Sequence, residues 1–221
     1  MRKKQEPLTK FYNESVIEIG VDEAGRGPMF GRVYSGAVVL PNNNEFKYEL
    51  LKDSKKFTSE KKLLEVYDYI INNALYWSVS WNDEKHIDKM NIRQSTLNCM
   101  HQSIKKIIHQ QKNDNDILLL IDGNDFRPYM RFKDNQYEQI EHVCIKGGDN
   151  TYCSIAAASI IAKVERDKYI YDLCEKNPFL QENYSIKNNK GYGTKKHMDG
   201  IKTHGITEWH RKTYGICRQY A

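Results

Sequence analysis

Alternating and periodic apolar positions divide the chain into strands and helices, followed by a polar tail punctuated by glycine. Ile17, Ile19 and Val21 alternate with Glu18, Gly20 and Asp22, which predicts a strand with one face turned inward. A glycine-dense turn, Gly25-Arg26-Gly27-Pro28, joins it to a second strand-like run over 33–40. Thr58 or Ser59 then caps a helix with the stripe Leu63, Leu64, Tyr67, Ile70 and Ile71. Residues 75–81 alternate as a third strand. A short helix from Asp83 precedes Asn91, which with Gln94 makes a capping-box pattern. Leu97, Met100, Ile104, Ile107 and Ile108 form the buried stripe of the long helix that follows. After a polar link over 110–116, the unbroken run 117–121 reads as a strand buried on both faces, and 141–145 as a fifth strand. Residues 154–171 carry the strongest helical signal, small and apolar almost all round at the start, as suits a helix pressed on a sheet. From Asn177 onward the chain reads as loop and helix.

Strands alternating with helices in this order predict a mixed α/β sheet. With 221 residues, 39% of them hydrophobic, the chain can bury one core, so 16–221 is expected to be one domain, with 177–221 a helical extension. Residues 1–15 are polar and read as a flexible arm. No apolar run approaches the ~20 residues of a membrane span, and Met1-Arg2-Lys3-Lys4 is not followed by a signal-peptide core. Five scattered cysteines without C-x-x-C spacing argue against a disulfide framework or a zinc site. A soluble intracellular protein is the expectation. The net charge of +5 is mild, but its distribution is uneven. Lysines gather at 52, 55, 56, 61 and 62, and basic residues recur from Lys187 to Arg218 among Tyr184, Tyr192, Trp209, Tyr214 and Tyr220. Such a pattern suits a nucleic-acid backbone or a solvated helix face equally well.

Acidic residues stand where three strands end: Asp22-Glu23, Asp122 and Asp149. Each alone is what an ordinary turn looks like. As a set they would repel unless something cationic held them, and oxygen ligands without histidine or cysteine favour Mg²⁺ or Mn²⁺. Two such ions ~3.5–4 Å apart can activate water and stabilise the leaving oxygen of a phosphodiester. Gly25, Gly27 and Gly31 mimic a dinucleotide fingerprint, but a strand follows them where that fold needs a helix. Residues 118–122 mimic a Walker B strand, yet no P-loop exists in the chain.

Asp22-Glu23-Ala24-Gly25-Arg26-Gly27-Pro28 resembles the signature of the type 2 ribonucleases H, specifically ribonuclease HII. Further matches run through nearly the whole chain: Asp53-Ser54-Lys55-Lys56, Ile87-Asp88 with Asn91-Ile92, Asp122-Gly123-Asn124, residues 154–167, Lys190-Gly191-Tyr192-Gly193-Thr194, His197, His204-Gly205 and His210-Arg211. The resemblance implies a ribonuclease H-like mixed five-stranded sheet flanked by helices, with a helical C-terminal extension. The activity it implies is endonucleolytic cleavage of RNA in RNA/DNA hybrids, and 5′ of single ribonucleotides in duplex DNA, leaving 3′-hydroxyl and 5′-phosphate ends. By the same resemblance Asp22, Glu23, Asp122 and Asp149 hold two divalent ions, Mg²⁺ or Mn²⁺. Gly25-Arg26-Gly27 would read the 2′-hydroxyl, and Tyr192 would pack on the sugar at the RNA–DNA junction. Lys55, Lys56 and the C-terminal basic residues would hold phosphates. A monomer is expected, and no clamp-binding tail is evident.

Departures from the family pattern are an extra glycine before Asp149, Asn150 after it, Arg32 after the glycine turn, and a long 125–141 segment that reads as a surface insertion. Arg26, where ribonuclease HIII has threonine, and the short N-terminus favour type HII. A binding module that kept the fold without catalysis, or a resolvase-like nuclease on the same fold, are the competing readings. The four intact acids weigh against the first, and the Gly-Arg-Gly and Gly-Tyr-Gly-Thr motifs against the second.

Overall fold

A computed structural model of the chain describes residues 7–111 and 116–221. Most of the expected polar link lies outside these residues, as does the charged N-terminal tetrapeptide. Strands β1 (Ile17–Ala24) and β2 (Val33–Val39) lead into helix α1 (Glu60–Asn73), β3 (Tyr76–Asn82), α2 (Glu84–Met90) and α3 (Ile92–Gln110). Next come β4 (Ile117–Asp122), β5 (Met130–Lys133), β6 (Gln136–Gln139), β7 (Glu141–Ile145) and α4 (Cys153–Lys176). The chain closes with α5 (Phe179–Tyr184), α6 (Ile186–Asn189) and α7 (Lys195–His204). Five strands form one mixed sheet in the order β3-β2-β1-β4-β7. β2 is antiparallel to β1 and β3, whereas β4 is parallel to β1 and β7.

Two glycines explain the small residues at the start of α4. A methyl group on Gly20 of β1 would stand 2.2 Å from the Ser154 carbonyl carbon, and one on Gly36 of β2 would stand 2.4 Å from the Ala158 oxygen. The helix therefore lies directly on the sheet backbone, with Ala156, Ala157 and Ala158 fully buried. Ile160 and Ile161 of α4 share a core with Val38, Tyr67 and Ile70 on this face. On the other face Ile19, Val21, Leu119 and Ile121 pack against Leu97, Met100, Ile104 and Ile107 of α3. The α1 stripe differs by one position from expectation: Leu64 is exposed, and Val66 is buried in its place.

Within the 125–141 segment lies a hairpin of β5 and β6. Asp134 and Asn135 take positive φ at its tip, the geometry of a two-residue hairpin turn. The described part of the N-terminal arm is paired with the body of the fold. Thr9 N–H donates to the Thr151 carbonyl at 2.8 Å, and Cys153 N–H donates to the Thr9 carbonyl at 3.0 Å. The C-terminal extension packs Leu180, Tyr184, Ile186 and Ile201 against Ile170 and against Met29 and Phe30, in the loop that follows β1.

Candidate active site

Parallel pairing of β1 and β4 ends at Val21 and Ile121, so Asp22 and Asp122 follow side by side at the same end of the sheet, with Asp22 still paired to Gly36 of β2 and Asp122 to Ile145 of β7. Glu23 follows Asp22, and Asp149 sits in a short 3-10 turn, Gly148–Asn150, just beyond β7. Asp122 Oδ1 accepts the Gly148 N–H at 2.7 Å, which draws the Asp149 turn towards β4. Asp22 and Asp149 are buried. Burial raises the Asp22 carboxyl well above its ordinary range, and the charges of Glu23 and Asp122 raise it further. Burial and then Asp122 and Asp53 raise Asp149, while for Glu23 burial outweighs the opposing Arg26. The four acids thus share one electrostatic site.

Two cations lean into it. Arg26 Nη1 lies 3.2 Å from Glu23 Oε1, and Lys55 Nζ lies 3.7 Å from Asp149 Oδ2. Burial alone would lower the Lys55 ammonium, but Asp149, Asp53, Asp22 and Asp122 together raise it. Among the described residues no three acidic, histidine or cysteine side chains are gathered tightly enough to cage an ion as they stand. The donor set nonetheless suits one: all oxygen, with Asp22, Glu23 and Asp149 raised first by burial and then by neighbouring carboxylates, a charge that a divalent cation would balance. Asp22, Glu23, Asp122 and Asp149 are the residues that could hold it.

Beside the acids, the Gly25-Arg26-Gly27 turn is held by a side chain that sequence reasoning placed on the surface. Arg211, read there as one of the C-terminal phosphate contacts, is fully buried and does not reach solvent. Its Nη2 donates to the Gly25 carbonyl (2.6 Å), its Nη1 to those of Arg26 (3.1 Å) and Pro28 (2.7 Å), and its Nε to that of Gly31 (2.9 Å). A second buried guanidinium, Arg166 of α4, donates to the carbonyls of Arg32, Phe30 and Lys190. The fork geometry of arginine meets several carbonyls at once, which lysine cannot do. Local patterning does not reveal such a role; the only sequence signal is an arginine beside histidine in the matched C-terminal segment. Arg32, a departure from the family pattern, is clasped between the rings of Trp81 (3.6 Å) and Tyr169 (4.4 Å).

Tyr192 is half exposed and overhangs the turn: a methyl group on Gly27 would stand 3.2 Å from its Cε1. A cleft of about 400 Å³ runs between them, lined by Glu23, Gly25, Gly27, Ser54, Lys55 and Tyr192. Asp53 caps the Ser54–Lys56 turn by accepting from the Lys55 N–H, and Ser54 Oγ bonds Ser159 Oγ of α4 at 3.0 Å, which fixes Lys55 at the cleft wall. Lys56 bonds Asn150 Oδ1 and stays exposed. Lys195 and Lys196 are exposed at the start of α7, whereas Tyr184, grouped above with the interleaved aromatics, is buried. A larger groove of about 470 Å³ beside the β5–β6 hairpin shares no residue with this cleft.

A family model described as Ribonuclease HII matches residues 19–217. The Ribonuclease HII of Cytophaga hutchinsonii is 44% identical over 207 residues, 94% of this chain and 93% of its own length. Among solved structures, the ribonuclease H2 of Pyrococcus horikoshii OT3 superposes with a TM-score of 0.68 at 23% identity, covering 92% of this chain and 96% of that one. The RNase HII of Archaeoglobus fulgidus, solved in complex with PCNA, gives 0.66 at 22% identity, covering 91% and 96%.

Proposed function

The chain belongs to the ribonuclease HII family, and on that premise we propose that it cuts hybrid duplexes at a junction read by Tyr192 and the Gly25-Arg26-Gly27 turn. The family activity is metal-dependent endonucleolytic cleavage of the RNA strand of RNA/DNA hybrids, with 5′-phosphate products. The finer reading is incision 5′ of a single ribonucleotide embedded in duplex DNA. The observation that carries it is the Tyr192 ring set against Gly27 on the wall of the cleft that also holds Glu23.

Asp22, Glu23, Asp122 and Asp149 would hold two divalent ions, Mg²⁺ or Mn²⁺, which when bound supply activation of water and stabilisation of the 3′ leaving oxygen. The rest is positioning by the chain itself. Backbone groups of Gly25-Arg26-Gly27, with the Gly25 and Arg26 carbonyls fixed by Arg211, meet the 2′-hydroxyl that distinguishes RNA from DNA. The Tyr192 ring packs on the sugar of the next nucleotide on the 3′ side, where a deoxyribose leaves room that a ribose would fill. Lys55 and Lys56 hold the phosphate backbone, which orients the duplex without reading its sequence. Residues 16–221 act as one catalytic domain, with the extension supplying Tyr192.

The test is incision of a duplex with one ribonucleotide against cleavage of a long hybrid, for wild type and Tyr192→Ala. The variant is expected to lose single-ribonucleotide incision disproportionately. An equal decline on both substrates would remove Tyr192 from junction reading.

A further inference from the structure

Two histidines of the C-terminal extension take no part in the chemistry above. His197 on α7 and His210 beyond it are buried, with their Nε2 atoms 3.1 Å apart. Their outer partners fix where the protons sit. The Thr207 backbone N–H can only donate and lies 2.9 Å from His210 Nδ1, so that nitrogen accepts and the His210 proton is on Nε2. The Tyr192 carbonyl can only accept and lies 2.9 Å from His197 Nδ1, so His197 carries its proton there and leaves Nε2 to accept. A one-way chain results: Thr207 N–H to His210, His210 to His197, His197 to the Tyr192 carbonyl. A further proton on either ring would set two N–H groups face to face. Burial, with His197 beside it, holds His210 down at about 3, and burial lowers His197 as well. Phe30 stands edge-on to His210, and Tyr184 edge-on to His197.

The chain ends on the backbone of the residue whose ring overhangs Gly27. Gly191, at φ 82°, and Gly193 flank Tyr192; on its N-terminal side the Tyr192 N–H donates to the Asn189 carbonyl and the Met29 N–H to the Gly191 carbonyl, which leaves the Tyr192 carbonyl to be held from the C-terminal side. The Thr194 N–H also donates to the Tyr192 carbonyl, but only from two residues away. His197 adds to this N-cap bond a tie into the body of α7 and, through His210, to the turn at Thr207. We propose that His197, backed by His210, is a positioning residue for Tyr192 and so sets the enzyme's preference for a deoxyribose after the ribonucleotide. This rests on the reading of Tyr192 given above.

Two near-isosteric variants separate this role from simple core filling. Asn at 197 keeps a donor where Nδ1–H stood and loses the link to His210; Gln keeps an acceptor where Nε2 stood and loses the link to Tyr192. The readout is the ratio of single-ribonucleotide incision to long-hybrid cleavage, with thermal melts to confirm folding. His197→Gln is expected to lower that ratio by roughly 5- to 10-fold, the size of one lost hydrogen bond, and His197→Asn, which loses only the backing of His210, by clearly less; an equal fall in both would make His197 a core filler and overturn the proposal. If Tyr192→Ala shifts the ratio but His197→Gln does not, the inference falls and the Tyr192 reading stands. If Tyr192→Ala leaves the ratio unchanged, the Tyr192 reading falls and takes the inference with it. ¹⁵N NMR of the wild-type imidazoles provides a check that needs neither variant to fold. It is expected to show His197 protonated on Nδ1 and His210 on Nε2, and the opposite tautomer at His197 would overturn the proposal.

Discussion

Replacing Arg211 with lysine should be among the most damaging conservative substitutions in the chain. The guanidinium donates to four carbonyls, all in the turn that follows β1. Burial lowers it to about 10, so it remains charged at neutral pH. Lysine keeps the charge but, being a point donor on a flexible stem, reaches at most two of these oxygens. At least two of the four carbonyls then lose this donor, at about 1–3 kcal/mol for each one left unpaired, and the ammonium is poorly solvated; the Arg26 carbonyl keeps a second donor, the Tyr214 hydroxyl. The expected loss is roughly 3–5 kcal/mol, which most domains of this size survive at 25 °C. Arg211→Met removes the buried charge but leaves all four carbonyls without this donor, so it should cost at least as much as Arg211→Lys. Urea unfolding measures both, and hybrid cleavage by the folded fraction should fall as the Gly25 and Arg26 carbonyls are released. An Arg211→Lys protein within about 1 kcal/mol of wild type and fully active would refute the view that this fork holds the turn.

Three further outcomes are expected. Asp122→Asn keeps an oxygen for the Gly148 N–H, so it should fold normally yet lose at least ~10²-fold in turnover, and wild-type kinetics would remove Asp122 from the site. Binding to hybrid should weaken steeply with salt, and a Lys55, Lys56, Lys195 and Lys196 alanine variant should flatten that slope; equal slopes would make these lysines a solvated surface. His210 is neutral in both folded and unfolded chains above about pH 6.5, but below it only the unfolded chain takes up the proton, down to about 3. Stability should therefore fall by up to about 1.4 kcal/mol per pH unit across that window relative to His210→Gln, a comparison in which the carboxylates raised at the acid site cancel; parallel curves would show that His210 titrates normally.

Most of what could be read along the chain came from local periodicity. The strand ends that carry Asp22 and Asp122 and lead to Asp149, the long α3 and the small face of α4 all announce themselves because sheet and helix periods act over a few residues. What was not legible depends on distant partners. Arg211 and Arg166 look like surface cations until four and three carbonyls from elsewhere in the chain surround them. The β5–β6 hairpin escaped notice because Met130, Phe132 and Tyr137 are all exposed, so its alternation points at no core. Thr9 pairs with Tyr152 through backbone alone, which composition does not record. The His197–His210 chain likewise depends on rings 13 positions apart meeting across the extension.

The central claim is tested most directly by mapping the products formed by wild-type protein from a DNA duplex that carries one ribonucleotide. The account predicts a single cut 5′ of the ribonucleotide, whatever its base, with 3′-hydroxyl and 5′-phosphate ends, supported by Mg²⁺ or Mn²⁺ and abolished by EDTA. Cleavage of long hybrids with this duplex left intact, or incision that persists in metal-free buffer, would contradict it.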